Sequence, residues 1–413
     1  DGTEAMEPGI PDSITRIAMP YDMDIKVDHQ WNDLLNSVEP ISESPVHSMD
    51  DLMTIIYTSG TTGNPKGVMH TYRSFSSGVQ NATRVLKINK DDRYLSFLPL
   101  SHIAERFMVL GCSTYGCSDV SFVESLDTFG ENLQTTQPTL LFAVPRIWQK
   151  FQQKVNAKLP QAKLEKLLRI PFINKLIRKK IQKGMGLDKS RLLISGASPI
   201  ARDLLQWYKD IGFEINEGYG MTETSPAIAV SGYEPNLALL GTVGPVIPDV
   251  TVRIDVNEKA YGPDAGEIMI KGPNVMMGYY NKPEKTAEVI NSDGWFHTGD
   301  IGEMVDGRLL KITDRKKEMF KTSGGKYVAP QVVENKMKES QFIEQIMVIG
   351  EAQKHPSALI VPSYDFLKAW ANDNDINFSS NEELIKNKAV IAKFNSEINH
   401  YNTNFGKWEQ VKK

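Results

Sequence analysis

Residues 57–67 constrain the fold of this chain more than any other stretch, because they place a glycine-rich loop directly after an apolar run. The pair Ile55 and Ile56 predicts the end of a buried strand, and a helix-compatible run begins at Tyr72. The stretch reads YTSGTTGNPKG, with three glycines, four serine or threonine hydroxyls and one lysine. We therefore predict a strand–loop–helix element, the local unit of an α/β fold.

The composition of this loop suits a polyphosphate ligand. Glycines let the main chain turn tightly and approach a ligand closely, and consecutive main-chain N–H groups in such a turn form an anion-binding nest. Hydroxyls add neutral donors, and Lys66 adds a positive charge. The loop is not a Walker A loop, because Pro65 precedes the lysine and Gly67 follows it. Three glycines alone would equally fit a surface turn, so the interpretation depends on the complete string.

Length and charge exclude several classes of protein. A chain of 413 residues predicts two or three domains. Its net charge of −4 gives no general attraction to nucleic acid. It contains no apolar run near the ~20 residues that a transmembrane helix needs, and its first residues are acidic and polar. We expect a cytoplasmic protein without a nucleic-acid partner.

Apolar runs alternate with helical patterns over residues 51–145 and again over 187–230, which predicts an α/β fold with a largely parallel sheet. Tyr94–Leu98 and Leu140–Val144 are predicted strands, and a third runs from Arg191 into a turn at Ser195–Pro199.

The rest of the chain differs from this alternation. Residues 1–50 contain five prolines and little periodicity, which indicates loops and short elements. The pattern over 241–313 is rich in strands. Beyond residue 314 we predict a small α+β module, with a helix near 330–339 and a strand at Ile346–Gly350.

Residues 146–183 form a basic amphipathic segment. Eleven lysines and arginines between positions 150 and 183 face a single acid, Glu165. Apolar residues recur there at helical spacing, and Pro160 and Pro171 divide the segment into short helices. Two interpretations remain open: a solvated basic face, or peripheral contact of residues 146–183 with an anionic membrane.

Two further loops follow predicted strands and could carry chemistry. They are Ser195–Pro199 and Gly218–Thr224, and loops at the carboxyl ends of parallel strands line the crevice where ligands bind. Tyr219 offers an aromatic face to a purine, and Glu223 offers the oxygen ligand that magnesium–phosphate sites use. Taken alone, a tyrosine and a glutamate in a loop more often have structural roles.

The string Asp293–Gly302 ends in a carboxylate, Asp300, that could accept both hydroxyls of a ribose. A turn aspartate in a β-meander is the alternative for an isolated Asp-Gly pair. That alternative does not explain the continuation DGRLLKITDRKK over residues 306–317.

Together these strings resemble the signatures of the adenylate-forming (AMP-binding) superfamily, and within it the long-chain fatty acyl-CoA synthetase group. The resemblance covers residues 51 to about 360. It implies an α/β fold with a large N-terminal domain of mixed sheets with flanking helices and a β-rich subdomain, plus a small mobile α+β C-terminal domain. The implied boundaries are 1–313, a hinge at 314–317, and 318–413. Relative to the family, we expect the first domain to be incomplete at its N-terminus and the last to stop before a C-terminal lysine segment.

The resemblance also implies roles for individual residues. Lys66, Thr222 and Glu223 are expected to be catalytic, and Glu223 also to bind Mg²⁺. Tyr219 is expected to lie against adenine, and Asp300 and Arg315 to hold the ribose. The implied ATP- or AMP-binding residues are Thr58, Ser59, Gly60, Thr61, Thr62, Gly63, Lys66, Gly196, Ala197, Ser198, Gly218, Tyr219, Gly220, Thr222, Asp300 and Arg315.

Three residues outside the nucleotide motifs receive roles in the same way. His102, in the string LPLSHIAER at 98–106, is expected to line an acyl pocket. Lys317 corresponds to the hinge position, and Lys321 corresponds to a lysine that some relatives use near the second half-reaction.

The implied reaction is ATP-dependent activation of a long-chain fatty acid to an acyl-adenylate, followed by transfer to CoA, with Mg²⁺ as cofactor. Two alternatives remain open. One is an acyl- or aryl-adenylating enzyme that passes its product to a carrier-protein thiol. The other is a nucleotide- or acyl-binding protein without turnover, which the absence of the C-terminal lysine segment would favour.

Overall fold

The computed structural model describes residues 11, 13–18, 27–58, 65–125, 127–232, 240–256, 264–316 and 318–412. Two compact units are present, Asp1–Ser48 and Met49–Lys413. The predicted site residues Ser59, Gly60, Thr61, Thr62, Gly63 and Lys317 lie outside the described residues.

Among its described residues, the first unit contains two short strands and one helix. They are β1 Ile17–Ala18, β2 His29–Gln30 and α1 Trp31–Ser37. The two strands pair in parallel, and Ala18 is buried.

Residues 49–232 form the α/β part of the second unit. Its strands are β3 Leu52–Thr58, β4 Lys66–Thr71, β5 Arg93–Ser96, β6 Asp119–Phe122, β7 Leu140–Ala143, β8 Leu192–Ser195, β9 Ile215–Tyr219 and β10 Ala229–Val230. Its α-helices are α2 Tyr72–Leu86, α3 Ile103–Arg106, α4 Thr114–Gly116, α5 Phe129–Thr136, α6 Pro145–Lys158, α7 Gln161–Leu168, α8 Ile173–Gly184 and α9 Arg202–Asp210. A π-helix, Phe107–Ser113, continues α3, and a 3₁₀-helix spans Thr222–Thr224.

A six-stranded sheet forms the centre of this part, in the order β10-β9-β8-β7-β5-β6. All its neighbours pair in parallel except β9 with β10. Helices cover both faces, because the strands are apolar on both sides: Leu95 and Trp148 belong to one buried cluster, and Tyr94 and Phe107 belong to another. The predicted α/β fold with a largely parallel sheet is therefore confirmed.

The predicted strand–loop–helix element is wrong in one respect. A second strand, β4, follows the loop and pairs antiparallel with β3, so that Thr58 lies opposite Lys66. The helix α2 starts only after β4, at Tyr72, where Thr71 caps its first turn. The run KGVMHT is buried along much of its length, and tertiary pairing with β3 decides its strand conformation.

Residues 240–316 are rich in strands, as predicted. They contain β11 Gly244–Pro245, β12 Thr251–Asp255, β13 Gly266–Lys271, β14 Gly278–Tyr279, β15 Phe296–Val305, β16 Leu309–Arg315 and the helix α10 Pro283–Val289. Five strands form an antiparallel sheet in the order β11-β16-β15-β13-β12, and β14 joins β4 and β3 in a separate three-stranded sheet.

A tight turn joins β15 to β16. Asp306 and Gly307 both have positive φ, 50° and 66°, and the Arg308 N–H donates to the Val305 carbonyl oxygen at 3.1 Å, as in a type I′ turn. Val305 lies opposite Leu309, and a register shift between Ile301 and Gly302 then places Asp300 opposite Arg315.

Residues 318–412 form the predicted small α+β module. Its elements are β17 Phe320–Lys321, β18 Tyr327–Val328, α11 Pro330–Met337, β19 Ile343–Ile349, β20 Ser357–Pro362, α12 Tyr364–Asp373, α13 Asn381–Lys386 and α14 Lys388–Asn402. The helix near 330–339 is confirmed, and the predicted strand begins earlier, at Ile343. The three-part division at 314–317, with its mobile hinge, remains a prediction.

The basic segment divides as its prolines predict, into α6, α7 and α8. Within the described part of the chain, no helix combines the length and the apolar character needed to cross a bilayer.

Candidate active site

A cavity of about 730 Å³ lies where the two large sheets and the three-stranded sheet approach one another. Polar groups line one part of it, and among them are Thr58, Lys66, Thr222, Glu223, Asp300 and Arg315. Apolar side chains line another part, including Val85, Phe107, Met108, Ile194, Val230 and Ile247. The predicted nucleotide motifs, which lie between Thr58 and Arg315 in the sequence, thus share one cavity with an apolar region.

The parallel sheet brings two of the loops together. Gly196 and Ala197 follow β8, and Gly218 and Gly220 lie at the end of the neighbouring strand β9; all four line the cavity. Ala197 has a φ of 66°, so the turn after β8 is tight. At Gly220 an added Cβ would overlap the main chain of Pro226, which explains why the loop needs glycine there.

Asp300 is held from two sides. Its Oδ2 accepts a hydrogen bond of 2.7 Å from the Tyr219 hydroxyl, and its Oδ1 lies 3.2 Å from Arg315 Nε. Burial raises the pKa of Asp300 above its usual range, although Tyr219 and Arg315 both favour the carboxylate. Burial also raises the pKa of Tyr219 well above its usual range, so the phenol is the donor in this pair.

A second carboxylate supports the loop that bears Asp300. Glu267 Oε1 accepts from the Gly299 N–H at 3.0 Å, and its Oε2 lies 3.2 Å from Lys316 Nζ and 3.4 Å from His297 Nδ1. Glu267 therefore ties the strand that carries Asp300 to the one that carries Arg315. The sequence analysis missed this residue, because no local pattern distinguishes it from other polar residues of a β-rich segment.

The second missed residue is Tyr279, at the end of β14. Its hydroxyl lies 2.8 Å from Glu223 Oε1 and 3.2 Å from Lys66 Nζ. The Lys66 ammonium also lies 4.3 Å from the centroid of the tyrosine ring. Tyr279 thus connects the lysine of the first motif with the glutamate of the second.

The third missed residue is His70, which is fully buried. Its Nε2 lies 2.6 Å from the Thr222 carbonyl oxygen and must donate, because a carbonyl only accepts. Its Nδ1 faces the hydroxyls of Ser74 and Ser225 at 3.0 and 3.2 Å. Burial lowers the pKa of His70 below its usual range, so the neutral ring fixes the Thr222 main chain against β4 and α2.

The apolar part of the cavity is bounded by the segment that contains His102. His102 lines the cavity and caps α3, since its Nδ1 accepts from the Ala104 N–H at 3.2 Å. The buried Glu105 fixes this segment to the sheet through the Tyr94 hydroxyl at 2.7 Å and the Phe97 N–H at 3.1 Å.

The structure does not bring every predicted residue to the cavity wall. Tyr219 is not among the residues that line the cavity, and its hydroxyl donates to Asp300. Its expected place against adenine stays a prediction. Ser198 and Lys321 also lie outside the lining set; Lys321 Nζ instead lies 5.4 Å from the Tyr327 ring.

The donor set suits a magnesium ion bound together with phosphates. Within the described ranges no three acidic, histidine or cysteine side chains converge as a metal cage. Glu223 places a nearly buried carboxylate on the cavity wall, whereas the nearly buried carboxylates of Asp300 and Glu267 are bonded to Arg315 and Lys316. Mg²⁺ typically uses one or two carboxylates and completes its shell with substrate phosphates and water, so Glu223 fits that use.

The loops at the carboxyl ends of the parallel strands open onto this cavity, which is where α/β folds bind nucleotides. Two family models match this chain: the AMP-binding enzyme over residues 13–280, and the AMP-binding enzyme C-terminal domain over residues 318–405. The chain belongs to the AMP-binding enzyme family.

Relatives with curated names support this assignment. The chain is 35% identical over 367 residues to the long-chain-fatty-acid–CoA ligase 1 of Cavia porcellus, which covers 83% of this chain and 52% of the relative. It is 35% identical over 370 residues to the peroxisomal long chain acyl-CoA synthetase 6 of Arabidopsis thaliana, with the same coverage. The chain therefore spans about half the length of these relatives.

A solved structure with a similar fold is the O-succinylbenzoate coenzyme A synthetase of Bacillus subtilis in complex with AMP. The two superimpose with a TM-score of 0.66 and are 25% identical; the match covers 94% of this chain and 70% of the synthetase. The sequence-based assignment to the adenylate-forming superfamily is confirmed.

Proposed function

We propose that the protein is an ATP-dependent long-chain fatty acyl-CoA ligase. The observation that carries the proposal is the composition of the cavity, which joins the polar groups of three nucleotide motifs to a wall of apolar side chains. A fatty acid and ATP together need such a site, with charge at one part and apolar surface at another. The names of the relatives and the AMP complex of the Bacillus subtilis synthetase agree with this proposal.

In the first step an oxygen of the fatty carboxylate attacks the α-phosphorus of ATP, the bond to the β-phosphate oxygen breaks, and pyrophosphate leaves. A carboxylic acid with a pKa near that of Glu is already ionised at neutral pH, so no general base is required. The protein then contributes position and charge. Asp300 and Arg315 would hold the ribose, Thr222 would face the reacting groups, and Lys66 would balance phosphate charge.

Mg²⁺, held by Glu223 and by phosphate oxygens, would supply further charge neutralisation. In the second step the CoA thiol loses its proton to solvent, and its sulfur attacks the acyl carbon. The bond from that carbon to the phosphate oxygen of AMP breaks, so that acyl-CoA and AMP are released. The phosphate loop Ser59–Gly63, the hinge at Lys317 and a second-step role for Lys321 stay part of this proposal by family resemblance.

The test is pyrophosphate release from Mg·ATP by the full-length protein, across saturated acids of increasing length, with and without CoA. We expect release to peak on long chains and continued turnover to need CoA. Lys66→Met should abolish pyrophosphate release. Lys354→Met is the control, because Lys354 is exposed and does not line the cavity, and it should release pyrophosphate as the wild type does. ATP binding without release for any acid would refute the proposal.

We also infer that residues 146–183 contact an anionic membrane surface. Four large apolar side chains are exposed at the junction of α7 and α8, and they are Ile170, Phe172, Ile173 and Leu176. Phe172 is 84% exposed with a φ of 66°, and Leu176 is 70% exposed. A bulky residue with positive φ is uncommon, and here that conformation leaves the ring in solvent.

Exposed cations surround this apolar group, including Lys166, Arg169, Lys175 and Lys179. Apolar side chains flanked by lysines and arginines suit an interface of anionic lipid, where each cation near the surface contributes roughly 1 kcal/mol. Contact with the membrane would bring the protein to the lipid phase in which its fatty-acid substrate dissolves.

Co-sedimentation with phosphatidylcholine vesicles, with and without phosphatidylglycerol, tests the surface. We expect binding that needs phosphatidylglycerol and is lost in Phe172→Ser. Leu359→Ser, at a residue that is 62% exposed on β20, is the matched control and should bind as the wild type does. Binding that survives both Phe172→Ser and charge reversal of the lysines would contradict the inference.

A further inference from the structure

Tyr279 reaches the centre of the site from an element outside the predicted motifs. Its strand β14 pairs antiparallel with β4, with Tyr279 opposite Val68. The residue is only 4% exposed, and its main-chain N–H donates to Thr286 Oγ1 at 2.9 Å. The ring is therefore held firmly beside Lys66 and Glu223.

The direction of both hydrogen bonds is determined by the chemistry of the partners. The hydroxyl has one proton, the ionised carboxylate of Glu223 can only accept, and the ammonium of Lys66 can only donate. Tyr279 therefore donates to Glu223 and accepts from Lys66.

This arrangement orients both charged groups. The bond to Oε1 fixes the rotation of the Glu223 carboxylate, and with it the direction in which the other oxygen points. The bond to Nζ, together with the ring under the ammonium, holds the Lys66 side chain on the cavity wall. Both bonds involve a charged partner, and such bonds are stronger than neutral ones.

We propose that Tyr279 is a positioning residue that sets the metal-binding carboxylate Glu223 and the phosphate-binding cation Lys66 in their working orientations. This inference rests on the proposed function. It is supported by the behaviour of metal sites in general, where loss of a partner that orients a ligand reduces metal affinity or activity by about 10–100-fold.

Tyr279→Phe removes the hydroxyl and keeps the ring. Tyr280→Phe is the matched control, because Tyr280 is the next residue, is 43% exposed and does not line the cavity. Calorimetric titration with ATP, in the presence of Mg²⁺ and in the presence of EDTA, needs no turnover. We expect the wild type and Tyr280→Phe to bind ATP more tightly with Mg²⁺, and Tyr279→Phe to lose most of that difference.

Pyrophosphate release adds a second readout. In Tyr279→Phe the rate at saturating ATP should fall by about tenfold or more, and the Mg²⁺ concentration for half-maximal rate should rise. The KM for the fatty acid should not change, because Tyr279 acts on the phosphate side of the site. Equal thermal stability of the two variants excludes a folding defect.

The outcomes are distinguishable. Unchanged Mg²⁺ dependence of ATP binding in Tyr279→Phe would overturn the role of Tyr279, even if the wild type is a ligase. Absence of pyrophosphate release from the wild type would overturn the proposed function, whereas a Mg²⁺ effect on ATP binding that disappears only in Tyr279→Phe would still support the role of Tyr279.

Discussion

The stability of the Asp314→Asn variant relative to the wild type should increase from acid to alkaline pH. Asp314 is 1% exposed and lies in β16 next to Arg315. Its Oδ1 accepts from the Arg315 N–H at 2.6 Å, and its Oδ2 has no hydrogen-bond partner among the residues that the structure describes. Burial, reinforced by the nearby carboxylates of Glu318 and Glu334, raises its pKa from 3.8 to about 7.

The direction of this pH dependence of stability follows from the protons that Asp314 binds in the folded and unfolded states. The folded protein keeps a proton on Asp314 up to about pH 7, whereas the unfolded chain releases it near its ordinary pKa. Stability contributed by this group is therefore complete at low pH and falls as the pH rises through 7. Between about pH 5 and pH 7 the loss is about 1.4 kcal/mol per pH unit, or about 3 kcal/mol in all.

Asparagine cannot ionise and avoids this loss. It places an amide N–H₂ where Oδ2 lay, which costs about 1–3 kcal/mol at any pH if no acceptor is found. The fixed cost cancels when two pH values are compared. The difference in stability between Asp314→Asn and the wild type should therefore increase by about 3 kcal/mol from about pH 5 to about pH 8.

Urea unfolding of both proteins at the two pH values, followed by tryptophan fluorescence, measures this difference. Asp306→Asn is the matched control, because Asp306 is exposed in the turn that precedes the same strand. A difference between Asp314→Asn and the wild type that is the same at both pH values would refute the reasoning.

Two further predictions concern residues that shape the site. His70→Leu should destabilise the protein by about 1–3 kcal/mol above pH 6.5, because the Thr222 carbonyl loses its buried donor. The pKa of the folded-state imidazole is lowered, so the contribution of His70 is lost as the pH falls below 6.5, and the two melting temperatures should converge there; a gap that is constant with pH would contradict this. Gly220→Ala should displace the loop at Pro226 and reduce the affinity for ATP at least tenfold, which corresponds to about 1.4 kcal/mol of binding free energy. The control is Gly130→Ala, where a Cβ meets no atom within 4 Å; it should bind ATP normally in the same titration.

Much of the secondary structure could be predicted from sequence because local signals agree with the tertiary environment. Pro160 and Pro171 separate α6, α7 and α8 as predicted, since proline cannot continue a helix. The apolar run at 140–144 forms the buried strand β7, and Pro145 begins the next helix. The strand–loop–helix prediction missed the strand β4. Its conformation depends on pairing with β3 and β14, and no local signal encodes that pairing.

The site residues likewise fall into those that the sequence could predict and those that it could not. Lys66, Thr222, Glu223, Asp300 and Arg315 could be predicted because each belongs to a string with its own chemical pattern. The roles of three other residues could not be predicted, because each contacts a partner that is distant in sequence; they are Tyr279, Glu267 and His70. Tyr279 and Lys66 are 213 residues apart, and His70 and Thr222 are 152 residues apart.

The amino-acid sequence by itself determined the loops, the charges and the alternation of strands and helices, since these depend on residue type and near neighbours. Only the tertiary structure decided that the Tyr219 hydroxyl donates to Asp300, that Asp314 is buried near two other carboxylates, and that the Tyr279 hydroxyl joins Lys66 to Glu223. The physical reason is that hydrogen-bond direction and burial depend on which atoms meet, and strand pairing between distant segments sets those meetings.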